Sequence, residues 1–179
     1  MICVSFFVIV IYEIMNNICA FDITNITNSH KCFENIRKGG ITMSKNIHII
    51  SHSHWDREWY LPFEEHRMRL VELVDKCMEL FETDGSFKSF HLDGQTIVID
   101  DYLEIKPENR DKLIKYVKEG RFIIGPWYVL QDEFYTSGES NVRNLLIGMK
   151  SAEKYGGMCK MGYFPDAFGN AGQMPQILK

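Results

Sequence analysis

Runs of basic residues are missing from this chain: its 179 residues carry 20 Lys and Arg against 24 Asp and Glu, a formal net charge of −4, with no positive stripe. That balance argues against nucleic acid and an anionic membrane as partners and suits a neutral ligand. Cysteine is sparse and odd in number. Cys3, Cys19, Cys32, Cys77 and Cys159 form no Cys-x-x-Cys pair and no disulfide-like framework, which points to a reducing compartment, with Cys77 read as helix core rather than reactive thiol. Long apolar runs are absent too. Residues 1–12 are nearly all apolar, but Glu13 interrupts them short of the roughly 18 residues that span a bilayer, and no Lys or Arg precedes them. They match neither an anchor nor a standard signal segment. What is present, 45% hydrophobic and 25% charged residues, is the make-up of a globular domain able to bury a core.

Residues 1–42 differ from the rest. Residues 16–27 are polar and Asn-rich, and we read the sequon Asn25-Ile26-Thr27 as chance. The stretch Lys38-Gly39-Gly40 before Met43 can be encoded by a purine-rich bacterial ribosome-binding site. The expectation is that translation starts at Met43, so that 1–42 is an untranslated or disordered leader and 43–179 the domain proper. A native N-terminus near Met1, found by mass spectrometry, would count against it.

After Met43 the pattern alternates between strand and helix. Residues 46–51, with Ile47, Ile49 and Ile50, read as a strand. Pro62 suits a first helical turn, and Leu70, Leu73, Val74, Cys77, Leu80 and Phe81 make an apolar stripe that stops before Gly85. Residues 87–92 read as a second strand ending at Asp93-Gly94, then 96–105 and 109–119 as helical pieces separated by Pro107. A third strand over 121–124 runs into Gly125-Pro126-Trp127. A helix over 139–155 stops at Gly156-Gly157, and 161–164 reads as a fourth strand. No repeat beyond this rhythm is visible. The fold class is α/β with a parallel sheet, either open and doubly wound or part of a barrel.

In such folds reactive groups gather where strands end, and the conspicuous motifs sit there. His52-Ser53-His54-Trp55-Asp56-Arg57-Glu58-Trp59 follows the first strand. If the extended backbone continues, His52, His54 and Asp56 face one way, and a His and an Asp two apart can grip one cation. Zinc takes imidazole nitrogen and carboxylate oxygen at about 2.0–2.2 Å. The competing reading is an aromatic-rich loop whose histidines cap backbone groups. Tyr163-Phe164-Pro165-Asp166-Ala167-Phe168-Gly169-Asn170 places a second acid after the fourth strand, where the competing reading is a helix N-cap. Trp55, Trp59, Trp127, Tyr128 and Phe168 supply flat faces on which a sugar ring can lie beside those carboxylates.

Together these residues resemble the α-mannosidases of glycoside hydrolase family 38, in particular the bacterial branch that includes mannosylglycerate hydrolases. The resemblance rests on four motifs in order: residues 52–60, Leu92-Asp93-Gly94-Gln95-Thr96, Ile124-Gly125-Pro126-Trp127-Tyr128, and residues 162–169. It spans almost everything from Lys45 to Lys179. It implies a truncated part of a (β/α) barrel and one zinc ion, with His54, Asp56 and Asp166 as ligands. Asp166 would also be the catalytic nucleophile of a retaining mechanism. Trp59 and Phe168 would line the mannose subsite and Asp132 an acidic position near it. His52, Glu58 and Arg57 are candidates for orienting the ligands. The implied substrate is an α-mannoside, with mannosylglycerate or its 6-phosphate as candidates, in a bacterial cytoplasm. Neither nucleic acid nor membrane is implied, and a homo-oligomer of the full-length protein is left open.

Family members are several times longer, and their fourth ligand, a histidine, and their general acid, an aspartate, match nothing before Lys179. The expectation is therefore that this chain alone hydrolyses nothing at a useful rate, exposes apolar surface and tends to aggregate. Two alternatives stand beside the mannosidase. A zinc-dependent polysaccharide deacetylase would need a His-x-x-x-His pair, but His48 and His52 along one strand lie more than about 10 Å apart at roughly 3.3 Å per residue. A non-catalytic carbohydrate-binding remnant or pseudogene product would bind mannose without turnover.

Overall fold

The computed structural model of the chain describes residues 7–14, 17–23 and 47–179. The sequon at Asn25, the Lys38-Gly39-Gly40 stretch, Met43, Cys3 and Cys32 lie outside the described residues. The chain divides into two compact units, Met1–Ser53 and His54–Lys179.

The first unit holds β1 (Phe7–Ile14), β2 (Asn17–Ile23) and β3 (Ile47–His52). Val and Ile recur through β1 and β3, residues whose branched β-carbons favour extended backbone. Both neighbours pair with β1 antiparallel, in registers that include Val10↔Phe21 and Val10↔Ile49. The strand expected over 46–51 is thus present, and within this unit its partner β1 runs antiparallel to it. β1 and β2 fall within the 1–42 stretch.

In the second unit, α1 (Phe63–Thr83) starts after Pro62, whose missing N–H costs nothing at a helix start. It buries His66, Leu70, Val71, Leu73, Val74, Cys77, Met78 and Phe81. Leu80, expected in that stripe, is only half-buried, because Val71 and Met78 complete the face instead. Two short parallel strands follow, β4 (Phe90–His91) and β5 (Phe122–Ile123), joined by α2 (Ile97–Ile105), a 3-10 turn (Pro107–Asn109) and α3 (Arg110–Lys118). They pair as Phe90↔Phe122 and His91↔Ile123, and a parallel bridge between Gln95 and Trp127 continues the contact. Within this unit no barrel closes.

The core lies between these strands and helices. Phe81 packs edge-on against Phe122 at 5.0 Å and stacks on Phe87 at 5.2 Å, and each fully buried ring contributes about 2–3 kcal/mol. α2 is apolar enough to be covered on most sides, with Ile97, Val98, Ile99, Tyr102 and Leu103 buried. The Tyr102 hydroxyl donates to Asp75 at 2.6 Å, so the buried phenol is satisfied. α4 (Gly138–Tyr155) is capped by Ser137, whose side chain accepts from the Ser140 N–H, and ends at Gly156 with φ 120°. α5 (Met174–Leu178) follows.

The fourth strand does not form: residues 161–164 are irregular. Their backbone is used otherwise. The Tyr163 carbonyl accepts from the Trp127 indole at 3.1 Å, and Gly162 lies so close to Leu178 that a Cβ there would meet its Cδ1 at 2.4 Å. Asp166 therefore sits in a turn, with φ 53°, rather than at a strand end. No helix among the described residues is long and apolar enough to cross a membrane.

Candidate metal and sugar site

Residues 54–60 have no regular secondary structure, yet their path is fixed from below. The Trp55 N–H donates to Asp93 Oδ2 at 2.6 Å, and the Trp55 carbonyl accepts from Gln95 Nε2 at 2.7 Å. Arg57 makes a two-pronged bond to Asp101 of α2, at 2.7 and 2.8 Å, and its guanidinium lies 4.8 Å from the Phe63 ring centroid. The Asp56 carbonyl lies 3.2 Å from His66 Nδ1 of α1.

His54 is the centre of the cluster. Its Nδ1 lies 3.0 Å from Asp93 Oδ2, while Nε2 faces Asp56 Oδ1 at 3.5 Å and Asp166 Oδ2 at 3.6 Å. Asp93 itself sits at φ 54° and Gly94 at φ 68°, two successive left-handed residues just after β4. An Asp tolerates that conformation better than most residues, and a glycine is needed next because a Cβ on Gly94 would meet the Tyr163 ring at 2.8 Å. The loop after β5 then closes on this turn: Trp127 N–H donates to the Gly94 carbonyl at 3.0 Å and Leu130 N–H to Gln95 Oε1 at 3.4 Å.

The electrostatics follow from burial. The hydrogen bond His54 makes to Asp93 raises the His54 pKa, burial opposes it, and the charges of Asp93, Asp56 and Asp166 add to the rise. Burial pushes Asp93 up in turn, outweighing the pull of His54, the Trp55 amide and Gln95. Three carboxylates around one imidazole leave the cluster short of positive charge.

Among the described residues no three His, Cys, Asp or Glu side chains form a closed metal-holding group. The donors nonetheless fit zinc in kind, and the two spacings made by His54 suit shared coordination. Two ligands about 2.1 Å from a tetrahedral ion stand roughly 3.4 Å apart, close to the 3.5 and 3.6 Å found from His54 Nε2 to Asp56 and Asp166. A carboxylate on the far nitrogen of the imidazole is the usual companion of a metal-bound histidine. Both Asp56 and Asp166 keep exposed side chains, at 48% and 65%, so they can shift to close on an ion.

Of the aromatic residues read as sugar platforms, Trp59 and Phe168 are exposed, at 71% and 77%. Trp127 is fully buried, its indole N–H spent on Tyr163 and its ring 5.3 Å from Phe164; it serves the core rather than a ligand. Trp55 and Tyr128 pack partly buried against the core. Asp132 lies in the 131–136 loop, where its carboxylate accepts from the Phe134 N–H at 3.3 Å in a turn of its own making. Glu58 is exposed, and His52 is buried at the end of β3 in the first unit. The sequence marks Asp93 as a strand-end acid and carries Asp93 and Gln95 in a family motif without giving either a specific task, and it gives Asp101 none. The Asp-Gly pair straight after a strand was the available signal for the first; the partnership of Asp101 with Arg57 spans 44 positions and left none.

This α/β unit brings an imidazole and three carboxylates together at its loops, with exposed rings on neighbouring segments. The chain belongs to glycosyl hydrolase family 38: the model of that family's N-terminal domain matches residues 44–179. It is 59% identical over 137 residues to a Halalkalibacterium halodurans protein provisionally named mannosylglycerate hydrolase, covering 76% of this chain and 15% of that protein. A crystal structure of an α-mannosidase from Enterococcus faecalis V583 superposes with a TM-score of 0.70 and 59% identity, covering 72% of this chain and 15% of the other. Mouse alpha-mannosidase 2C1 is 30% identical over 137 residues, 74% of this chain and 13% of that protein. The chain thus spans about a seventh of the length of the curated relatives it matches.

Proposed function

We propose that this chain supplies the nucleophile and three zinc ligands of a retaining α-mannosidase, acting on an α-mannoside such as mannosylglycerate or its 6-phosphate. The observation that carries the proposal is the convergence of Asp56 and Asp166 on one nitrogen of His54. His54 Nε2 and the carboxylates of Asp56 and Asp166 would hold the ion. A zinc ion so held supplies an anchor for the sugar's hydroxyls and fixes the ring as it distorts.

The remaining steps fall to the chain's own groups. Trp59 and Phe168, both exposed, offer faces for the C–H side of the mannose ring. A carboxylate oxygen of Asp166 attacks the anomeric carbon; the bond to the leaving oxygen breaks, its electron pair staying on that oxygen, which takes a proton from an acid. Water, giving a proton back to the conjugate base of that acid, then attacks the same carbon and releases Asp166. By the family resemblance neither that acid nor the fourth ligand is matched among these residues, so turnover of an α-mannoside by them alone is not expected. Of the two other readings, the carbohydrate-binding remnant differs in predicting no covalent chemistry at Asp166. The deacetylase has no observation in its favour.

A fluorinated mannosyl fluoride tests this, because fluoride leaves without being protonated and the trapped mannosyl ester survives. With zinc added, peptide mass spectrometry is expected to find the label on Asp166. Absence of label, or label on another carboxylate, would contradict the assignment, as would steady release of nitrophenol from an aryl α-mannoside by the chain alone contradict its inactivity.

A further inference from the structure

Beneath the loop that carries His54 lies a set of buried polar groups. Asp93 is 1% exposed and Gln95 1% exposed. One oxygen, Asp93 Oδ2, receives His54 Nδ1 at 3.0 Å, the Trp55 N–H at 2.6 Å and Gln95 Nε2 at 3.2 Å. Gln95 also holds the Trp55 carbonyl at 2.7 Å and accepts from Leu130 at 3.4 Å. Both peptide groups flanking Trp55 and the imbedded ring nitrogen are thus gripped by two side chains of one turn.

We propose that Asp93 is a positioning residue: it fixes His54 in the tautomer that carries its proton on Nδ1 and turns the lone pair of Nε2 toward Asp56 and Asp166, while Gln95 locks Asp93 and the Trp55 peptide in register. This deepens the reading of the cluster as a zinc site and rests on it for the metal part alone. The physical reason is that a carboxylate acceptor can take only a donated proton, so the nitrogen facing Asp93 must be the protonated one. A buried acid with bonds on one oxygen only is a costly thing to keep unless the orientation it imposes is used.

Asp93→Asn is the informative variant. It keeps the size, it accepts the left-handed backbone at φ 54°, and its amide can still accept from Trp55, but it loses the charge and can present a donor to the ring. Two measurements on the full chain decide the matter. Long-range nitrogen–proton spectra of the zinc-free protein report the tautomer of His54, and a chromophoric chelator competing for zinc reports affinity. The expected result is the Nδ1–H tautomer in the parent chain, a mixture or the Nε2–H form in Asp93→Asn, and zinc bound about 10- to 100-fold more weakly by the variant. Asp56→Asn is expected to weaken zinc while leaving the tautomer unchanged, which separates a ligand from a residue that acts through one. An Nε2–H tautomer in the parent chain, or unaltered zinc affinity in a folded Asp93→Asn chain, would overturn the proposal. If the parent chain binds no zinc, the metal site fails, yet the tautomer measurement still tests Asp93. Should Asp93→Asn not fold, the tautomer of the parent chain decides.

Discussion

Replacing Gly148 by alanine sets two well-understood effects against each other. Gly148 lies within α4, where alanine is worth about 1 kcal/mol over glycine. On propensity alone the change stabilises. A Cβ at this position, however, would stand 2.2 Å from the Pro126 carbonyl oxygen, 2.3 Å from the Trp127 carbonyl carbon and 2.4 Å from the Tyr128 nitrogen. All three are backbone atoms, so no side chain can swing away; relief requires α4 to move from the 126–129 segment by roughly 1 Å, the distance from such contacts to ordinary packing. That seam is held by Asn144, whose carbonyl accepts from Tyr128 N–H at 3.3 Å and whose side chain bonds Val129 N–H and C=O at 3.0 and 2.7 Å. Losing three hydrogen bonds at about 1 kcal/mol each, adding about 2 kcal/mol of overpacking and subtracting the propensity gain leaves a net loss near 4 kcal/mol. For a domain stable by some 5–15 kcal/mol that is severe. Urea denaturation followed by far-UV circular dichroism, at low micromolar concentration to limit association, measures it. Gly138→Ala, where a Cβ meets nothing within 4 Å, is the control and should change stability by a few tenths of a kcal/mol. A Gly148→Ala chain as stable as the parent would refute the argument.

Other expectations follow from single contacts. Arg57→Ala should cost about 3 kcal/mol and Asp101→Ala about half that, since the first strands a buried carboxylate whereas the second leaves an arginine whose side chain is already 38% exposed and can turn to water; equal losses in thermal melts would contradict it. Burial pushes the Cys77 thiol up to about 12, so iodoacetamide at pH 8 should modify Cys77 only after urea is added. Labelling of the native chain at the unfolded rate would show that α1 is not packed as described. Trp127→Phe should cost about 1–2 kcal/mol through the bond to the Tyr163 carbonyl, with zinc affinity falling as that segment loosens. Unchanged affinity and stability together would remove Trp127 from the support of Asp166.

How far the sequence reveals this arrangement varies with the range of the interaction. The α1 stripe, the stop at Gly156 and the motif His54-x-Asp56 are local, set by periodicity and backbone preference, and all are readable without a structure. Leu80 was misplaced because a 21-residue helix wraps its buried face around from Leu70 to Phe81, and Val71 and Met78 take its share. The expected strand over 161–164 failed because tyrosine and phenylalanine suit strands and equally suit a packed loop, and the Trp127 indole claims the Tyr163 carbonyl that a ladder would need. Trp127 looked like a sugar platform for a related reason: sequence marks an aromatic at a strand end, while only packing tells whether its face is covered. Asp93 was visible as a strand-end acid, but its bond to His54 crosses 39 positions and depends on a left-handed turn.

Crystals of the chain soaked in zinc, with data collected at the zinc absorption edge, test the metal site itself. One anomalous peak is expected about 2.0–2.2 Å from His54 Nε2 and from carboxylate oxygens of Asp56 and Asp166, with Asp93 still on Nδ1. A peak elsewhere, or none at saturating zinc, would contradict a metal centre built on His54.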